Sequence, residues 1–115
     1  MPQFCIIAHD RAEPGGAERR QAARRAHFDR MKPYVERGSV LFAGSMLAED
    51  GSMAASILVL DMPDRAAVEA WLAEEPYVRN RVWDRVEVKP IFVAVDGRGI
   101  TPSWLDLMRG VPAAH

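Results

Sequence analysis

The segment at residues 3–9 is apolar on both of its alternating faces, and this feature restricts the fold more than any other in the chain. Neighbouring side chains of a β-strand point to opposite faces, so Cys5 and Ile7 share one face. Phe4 and Ile6 share the other. Such a strand avoids water only when protein covers it on both sides, and we therefore predict a strand with both faces covered.

Five further segments show the spacing of helices or strands. The predicted order is strand, helix, two hairpin strands, helix and strand, at residues 3–9, 17–37, 40–44, 56–61, 64–73 and 83–95. Asp50-Gly51 is a strong turn signal between the third and fourth segments, so these two are expected to pair as an antiparallel hairpin. The last segment alternates for part of its length and contains Pro90, which suits an edge strand.

The helix predicted at residues 17–37 is rich in alanine and arginine, which are good helix formers. Its inward stripe is predicted from apolar residues at steps of three and four, namely Ala23, Ala26, Met31, Tyr34 and Val35. Pro33 has no backbone N–H to donate to the carbonyl of Asp29, so we expect a kink or an early end there. Gly38 is suited to close the helix.

This order of elements is that of the ferredoxin-like βαββαβ fold, an α+β architecture in which one four-stranded antiparallel sheet carries both helices on a single face. Residues 1–95 are predicted to form this domain. Because the first strand is apolar on both sides, the bare face of the sheet is expected to pack against the same face of a second copy. We therefore predict a homodimer that forms through the sheet faces.

Residues 96–115 are predicted to form a C-terminal extension with a short helix. Thr101 is a capping residue, and a proline follows it at the first helical position. Trp104, Leu105 and Met108 then lie on one side of the helix, and that side must be buried. Two placements remain open, one against the helix's own subunit and one across the dimer.

The charge of the chain limits its partners. Its 15 Lys+Arg and 16 Asp+Glu give a net charge of −1, which argues against nucleic acid or an anionic membrane as the main partner. Seven of the basic residues lie between positions 19 and 37. They form either a solvated helix face or, in part, a site for a small anion.

Several classes of protein are disfavoured by missing features. The lone Cys5 cannot form an internal disulfide, and no apolar run approaches the roughly 20 residues of a membrane span, so we expect a soluble cytoplasmic protein. The chain has no Gly-rich phosphate loop, no CxxC or HExxH motif and no serine nucleophile motif. We therefore expect no cofactor and no metal, and a small molecule as the ligand.

His27 is the strongest candidate for a catalytic residue. Arg24, His27 and Met31 follow one another at steps of three and four, which places a cation and an imidazole in line with a core residue. By itself this pattern is more typical of a boundary histidine with a structural hydrogen bond. A catalytic histidine also needs a carboxylate to set its tautomer and a small cavity to work in.

Six short motifs occur in an order and spacing that resemble the YCII-related (YciI-like) family. They are Arg24-Arg-Ala-His27-Phe28, Leu41-Phe-Ala-Gly44, Asp50-Gly51, Ala55-Ser56-Ile-Leu58, Glu75-Pro-Tyr77-Val78 and Val86-Glu-Val-Lys-Pro90. The resemblance covers about residues 2–93. It implies a ferredoxin-like dimer, in agreement with the layout predicted from the periodicity.

The resemblance also implies a site. In this family a histidine on the first helix and the aspartate of an Asp-Pro-Tyr/Phe motif are thought to form an acid–base dyad in a pocket near the dimer interface. His27 matches the histidine, and Glu75 stands at the aspartate position with one more methylene. Three further family positions are matched by Arg24, Asp10 and Ser56, which we expect to bind substrate together with Tyr77.

Structural alternatives to these roles remain open. Ser56 can serve only to close the hairpin, and Asp10 can serve only to end the first strand by bonding a turn amide. Tyr77 follows a proline and is typical of a core anchor. Arg24 can also pair with a nearby acid such as Glu75.

Two functions fit these expectations. The first is a cofactor-free lyase, isomerase or dehydrochlorinase that uses His27 and Glu75 on a small anionic substrate, either aromatic or a lactone. The resemblance points this way, because a family member is a dehydrochlorinase of a chlorinated hydroxyquinol and the fold is shared with muconolactone isomerases. The second is a non-catalytic dimeric protein that binds a small ligand in the same pocket or serves as an accessory protein.

Overall fold

Burial alternates along the first strand, β1 (Gln3–Asp10), in the computed structural model of the protein, which describes residues 2–110. Phe4, Ile6 and Ala8 are buried on the face that carries the helices. Cys5 and Ile7 point to the opposite face and are only half-buried. One apolar face of β1 is therefore covered within the subunit, and the other is not.

Four strands form one antiparallel sheet in the order β2-β3-β1-β4, with β4 at an edge as predicted. The other elements of this domain are α1 (Gly16–Glu36), β2 (Val40–Leu47), β3 (Met53–Asp61), α2 (Arg65–Ala73), α3 (Pro76–Arg79) and β4 (Trp83–Ile91). Residues of α1 and α2 share one hydrophobic core with the buried side of the sheet. The architecture is the predicted ferredoxin-like α+β fold.

The β2–β3 hairpin is longer than the sequence pattern predicted. Its strands reach Leu47 and Met53, beyond the predicted ends at residues 44 and 56. In the turn, Asp50 Oδ1 accepts hydrogen bonds from the hydroxyl and the backbone N–H of Ser52 at 2.6 and 2.9 Å, which lowers the pKa of the Asp50 carboxyl. Gly51 supplies the left-handed conformation, with φ of 87°. The extra length lets Met53 reach the N-terminal half of α1.

The inward stripe of α1 is shifted from the predicted one. Ala23 and Met31 are buried as expected, but Ala26 is exposed and Val35 is 51% exposed, so their assignment to the core was wrong. The third buried residue is Arg20. The stripe therefore begins at a cation, which the apolar pattern alone did not select because an arginine is normally solvated.

Of the two outcomes expected at Pro33, a kink or an early end, the early end was wrong, because α1 continues to Glu36. A proline removes only its own donated hydrogen bond, and it stands in the last turn, where little helix remains to be disturbed. The carbonyl of Pro33 still accepts the backbone N–H of Arg37 at 3.1 Å.

The segment after α2 holds a short helix that the sequence pattern had marked only as a break. Asp64 caps α2 by accepting the backbone N–H of Ala67 at 2.8 Å, and α2 ends at Ala73 as predicted. α3 then starts at Pro76 with Glu75 as its N-cap residue. This short helix places Glu75 beneath α1.

The C-terminal arm, defined here as residues 92–110, follows β4. It contains a small hairpin of β5 (Val95–Asp96) and β6 (Gly99–Ile100) and then α4 (Pro102–Met108). Thr101 caps α4 as predicted, accepting the backbone N–H of Trp104 at 3.3 Å. Residues 111–115 of the predicted extension lie outside the described residues. None of the described helices is long and apolar enough to cross a membrane.

Candidate functional site

His27 lies on the inner side of α1 and meets a carboxylate from another element. Its Nδ1 is hydrogen-bonded to Oε1 of Glu75, which lies 48 residues further along the chain. The His27 side chain is 20% exposed, whereas that of Glu75 is 0% exposed. The Nε2 atom of His27 makes no hydrogen bond within residues 2–110. The imidazole is thus held through Nδ1, while Nε2 remains available to a ligand.

Glu75 is positioned by its place at the start of α3. Its Oε2 accepts the backbone N–H of Tyr77 at 2.5 Å, so one oxygen caps the helix while the other bonds His27. A fully buried carboxylate needs such partners, because burial without them is costly. The additional methylene relative to an aspartate is accommodated here, since both oxygens have partners.

Two aromatic rings fix the plane of the imidazole. The Tyr77 ring stacks on His27 with centroids 4.0 Å apart and an angle of 9° between the planes. Trp83 meets the same imidazole edge-on at 6.0 Å. Both aromatic residues are almost fully buried. Since the stacking and the Glu75 bond act on different parts of the ring, they together leave His27 a single orientation.

Arg20 is the site residue that the sequence did not single out. It is only 6% exposed, and its guanidinium binds both carboxylate oxygens of Asp10, at 2.9 and 3.0 Å. The same guanidinium donates to Ser56 Oγ at 3.1 Å and lies 5.0 Å from the centre of the Tyr77 ring. Burial lowers the pKa of Arg20, but the hydrogen bond and charge of Asp10 outweigh it, so the net pKa is raised.

A sequence signal for Arg20 did exist. It precedes His27 by seven residues, which is close to two helical turns and places both residues on one side of α1. Six basic residues lie on this helix, however, and the sequence alone does not indicate which of their side chains is buried. The selection is made by Asp10, whose carboxylate stands at the end of β1.

The predicted substrate-binding residues are placed as follows. Asp10 and Ser56 both bind Arg20, so they meet through that side chain. Tyr77 is 3% exposed, as expected of a core anchor, and its ring also stacks on His27. It therefore belongs both to the core and to the site. Arg24 is exposed and donates to Gln21 Oε1 at 2.5 Å, so the pair considered between Arg24 and Glu75 does not form.

A cleft of about 240 Å³ lies between α1 and the β2–β3 hairpin. It is lined by Arg20, Arg24, His27, Ala43, Gly44, Ser45, Met53, Ser56, Ile57, Leu58, Tyr77 and Trp83. A second, wider depression of about 570 Å³, between the loop after β1 and the turn at residues 51–53, shares Arg20 and Arg24 with it. His27 lines the cleft only, whereas Arg20 and Arg24 lie between the cleft and the wider depression.

The lining groups determine which chemistry this cleft can support. It offers one imidazole backed by a buried carboxylate, which can transfer a proton, and the guanidinium of Arg24, which can stabilise negative charge on a bound oxygen. The guanidinium of Arg20 is already paired with Asp10. Within residues 2–110, no three or more His, Cys, Asp or Glu side chains cluster closely enough to hold a metal ion.

Comparisons with known proteins agree with this fold. The family model described as "YCII-related domain" matches residues 3–92. Protein YciI of Escherichia coli O6:H1 (strain CFT073) is 31% identical over 93 residues, which cover 76% of this chain and 93% of that protein. Protein YciI of Shigella flexneri gives the same values.

A solved structure shares the architecture at lower sequence identity. It is the 5-chloro-2-hydroxyhydroquinone dehydrochlorinase TftG from Burkholderia phenoliruptrix AC1100, in complex with 2,5-dihydroxybenzoquinone. The TM-score is 0.68 at 20% identity, over 78% of this chain and 93% of that chain. At that identity the likeness is one of fold. The family model spans most of the chain, and the YciI proteins match over nearly their whole length, so the protein belongs to the YCII-related family.

Proposed function

We propose that this protein is a cofactor-free lyase or isomerase that moves a proton on a small anionic ring substrate. The observation that carries the proposal is the hydrogen bond between His27 Nδ1 and the buried Glu75, in a cleft onto which the imidazole opens. Histidine is the side chain most often used for general acid–base catalysis. A carboxylate on one ring nitrogen leaves the other nitrogen as the site of proton exchange.

In the proposed reaction His27 Nε2 removes a proton from a ring carbon next to a carbonyl or enol. The Glu75 carboxylate stabilises the imidazolium that forms, and the charge of Arg24, which lines the cleft, stabilises the enolate oxygen. The imidazolium then returns its proton to another carbon, which completes an isomerisation. If a neighbouring carbon carries chlorine, chloride leaves with the bonding electrons instead, and the proton is released to water.

The size of the cleft and the nature of a structural neighbour support a ring substrate. A cavity of about 150 Å³ is enough to hold benzene, so about 240 Å³ accommodates a ring with several polar substituents. The dehydrochlorinase that shares this fold binds 2,5-dihydroxybenzoquinone, a compound of that size. We extend this substrate class, but no particular compound, to the present protein.

The proposal includes the oligomeric state, the catalytic domain and the cellular compartment of the enzyme. Two copies pack through the open face of the sheet, because Cys5, Ile7, Ile57 and Val59 leave apolar surface there that is half-buried in one subunit. Residues 1–95 form the catalytic domain, and residues 96–115 extend it. A reducing cytoplasm suits the unpaired Cys5.

A proton-exchange experiment tests the proposal most directly. The protein is incubated in D₂O with chlorinated hydroxyquinols, muconolactones and related enol-forming acids, and deuterium uptake, chloride release and product formation are followed by NMR and chloride assay. We expect at least one compound to exchange or convert far faster with protein than without it. Saturable binding without exchange or turnover of any compound would instead support the non-catalytic ligand-binding function.

Replacing Glu75 with glutamine is expected to lower kcat of the fastest compound by on the order of 10- to 100-fold, with a smaller change in KM. The amide keeps the size of the side chain and an oxygen that can cap α3, but it carries no charge to stabilise the imidazolium. Steady-state kinetics and the unfolding midpoint are measured together.

A matched control for this variant is Glu69→Gln on α2, where the carboxylate is 63% exposed and pairs with Arg65 at the surface. Its kcat should stay within about twofold of the unmodified protein. Equal kcat values for Glu75→Gln and Glu69→Gln would remove Glu75 from the mechanism.

A further inference from the structure

The C-terminal arm carries apolar side chains that the rest of the described chain does not cover. Val95 is 60% exposed, Ile100 58%, Leu105 41% and Met108 74%. No residue of α4 is buried among those described. Exposed apolar side chains are common one at a time, but a run of them along one short segment marks a contact surface.

The arm is nevertheless an ordered feature with its own internal bonds. The hydroxyl of Thr101 donates to the carbonyl of Val93 at 2.8 Å, and its backbone N–H donates to the carbonyl of Ala94 at 2.9 Å. These bonds tie the start of α4 to the base of the arm. The apolar side chains of the arm are therefore presented in a defined arrangement.

The arm stands at one end of the open sheet face. A groove of about 410 Å³ separates Phe42 and Val59 of that face from residues 91–97 at the base of the arm. A smaller space lies between Gln3 and Asp61 at the same end of the sheet and the start of α4. Whatever covers the open face consequently meets the arm as well.

The molecule is elongated. It measures 52 × 30 × 23 Å, with a radius of gyration of 15.6 Å. A compact chain of this length has a radius of gyration of about 13 Å. These dimensions are those of a chain in which some segments lie outside the core, and α4, with no buried residue, is one of them.

The open face alone is small for a stable dimer. Four strands of eight or nine residues cover about 19 by 28 Å, or about 500 Å², from strand spacing and rise. Part of this area is charged, because Arg85, Glu87 and Lys89 of β4 point to it beside His9. The apolar part of the face is therefore confined to β1, β2 and β3, whereas a standard interface buries about 800 Å² of accessible surface on each partner. The arm lies where the missing apolar area is needed.

We propose that the arm packs against a second copy of this chain and clamps the margin of its open sheet face. Both arms make the same contact, because a two-fold interface repeats every contact. This inference rests on the dimer through the sheet faces that is part of the proposed function. It assigns a role to a segment that, apart from residue 92, lies beyond the residues matched by the family model.

The test is the dimer dissociation constant of the full chain carrying Val95→Asp and Met108→Asp, measured by sedimentation equilibrium over a dilution series. We expect the Kd to rise at least tenfold, because two carboxylates are then placed in an apolar contact. The control is Val35→Asp, since Val35 is a valine on α1 in the helix layer that is 51% exposed, compared with 60% for Val95. Its Kd should remain that of the unmodified protein.

A third variant distinguishes the contribution of the arm to the dimer from that of the sheet face. Ile57→Asp places a charge at the centre of the open face, where Ile57 pairs with Ile7, and it should give monomers. If Ile57→Asp gives monomers but the arm variant leaves the dimer Kd unchanged, the role of the arm is overturned and the sheet-face interface stands. A dimer that survives Ile57→Asp overturns the sheet-face interface, and an unmodified protein that is monomeric at high micromolar concentration overturns both.

Folding of these variants is checked by circular dichroism. The milder pair Val95→Ser and Met108→Ser is prepared as well, because it removes apolar area without adding charge. It should raise the Kd in the same direction by a smaller factor. An unchanged Kd in both arm variants, each with the circular dichroism spectrum of the unmodified protein, contradicts the proposal. Turnover of the ring compounds is a separate measurement, so failure of the clamp and failure of the catalytic proposal can be told apart.

Discussion

Replacing His27 with glutamine is expected to reduce kcat/KM for the fastest ring substrate by on the order of 10²- to 10⁴-fold, the range contributed by general acid–base catalysis. Among the described residues that line the cleft, His27 has the imidazole, which can both accept and return a proton while its partner Glu75 remains in place. Glutamine retains a polar group of similar size but cannot exchange a proton near neutral pH. Initial rates with saturating and limiting substrate give kcat and kcat/KM.

The control for this experiment lies on the same helix. Lys32→Gln also exchanges a cationic side chain for an amide, at a position that is 64% exposed and pairs only with Glu36. It should leave kcat/KM within about twofold of the unmodified value. If His27→Gln retains more than about a tenth of the activity, the imidazole is not the proton carrier.

Replacing Arg20 with methionine is expected to lower the free energy of unfolding by roughly 3 kcal/mol. Removing one partner of a buried ion pair costs about 3–5 kcal/mol, because the other charge is left without compensation. We take the lower end, since the Asp10 side chain is 18% exposed and can reach water. Ser56 also loses the donor that binds its hydroxyl. Urea unfolding, with both the midpoint and the slope reported, measures the change.

Two further variants show whether the unpaired charge causes this loss. Combining Arg20→Met with Asp10→Asn removes the stranded carboxylate, so the double variant should be more stable than Arg20→Met alone. Arg25→Met removes an arginine that is 85% exposed and pairs with Asp29 at the surface, where about 0–1 kcal/mol is expected. Equal unfolding free energies for Arg20→Met and Arg25→Met would contradict a structural role for the buried pair.

The elements of the fold were predictable because their signals are local. The two-residue period of β1 and the Asp50-Gly51 turn each follow from side-chain direction or backbone preference within a few residues. The bounds of α2 and the start of β4 came close for the same reason, but the predicted strand at residues 83–95 was too long, because β4 ends at Ile91 and Val95 belongs to β5. Ala26 and Val35 were misassigned because alanine and valine occur on either side of a helix, and only the packing partner decides which side is buried.

The candidate site was predictable only in part. His27 was singled out from its spacing on the helix, and its pairing with Glu75 came from the resemblance. The two side chains do meet. Pro76 is a local signal for a helix start, but no local signal places the Glu75 carboxylate under α1. Arg20 was missed, since burial of an arginine depends on a carboxylate from a distant strand end. Its hydrogen bonds with Asp10 replace those that water would otherwise provide.

By itself the sequence determined the order of strands and helices, the ferredoxin-like topology and the uncovered apolar face of β1, because side-chain periodicity and turn chemistry act between near neighbours. Only the tertiary structure decided which arginine of α1 turns inward, how Glu75 divides its two oxygens between a helix cap and His27, and where the arm stands. These outcomes depend on groups separated by 10 to 48 residues. Such groups meet only when the sheet and its helices have packed together, and their desolvation is favourable only when all the partners are present.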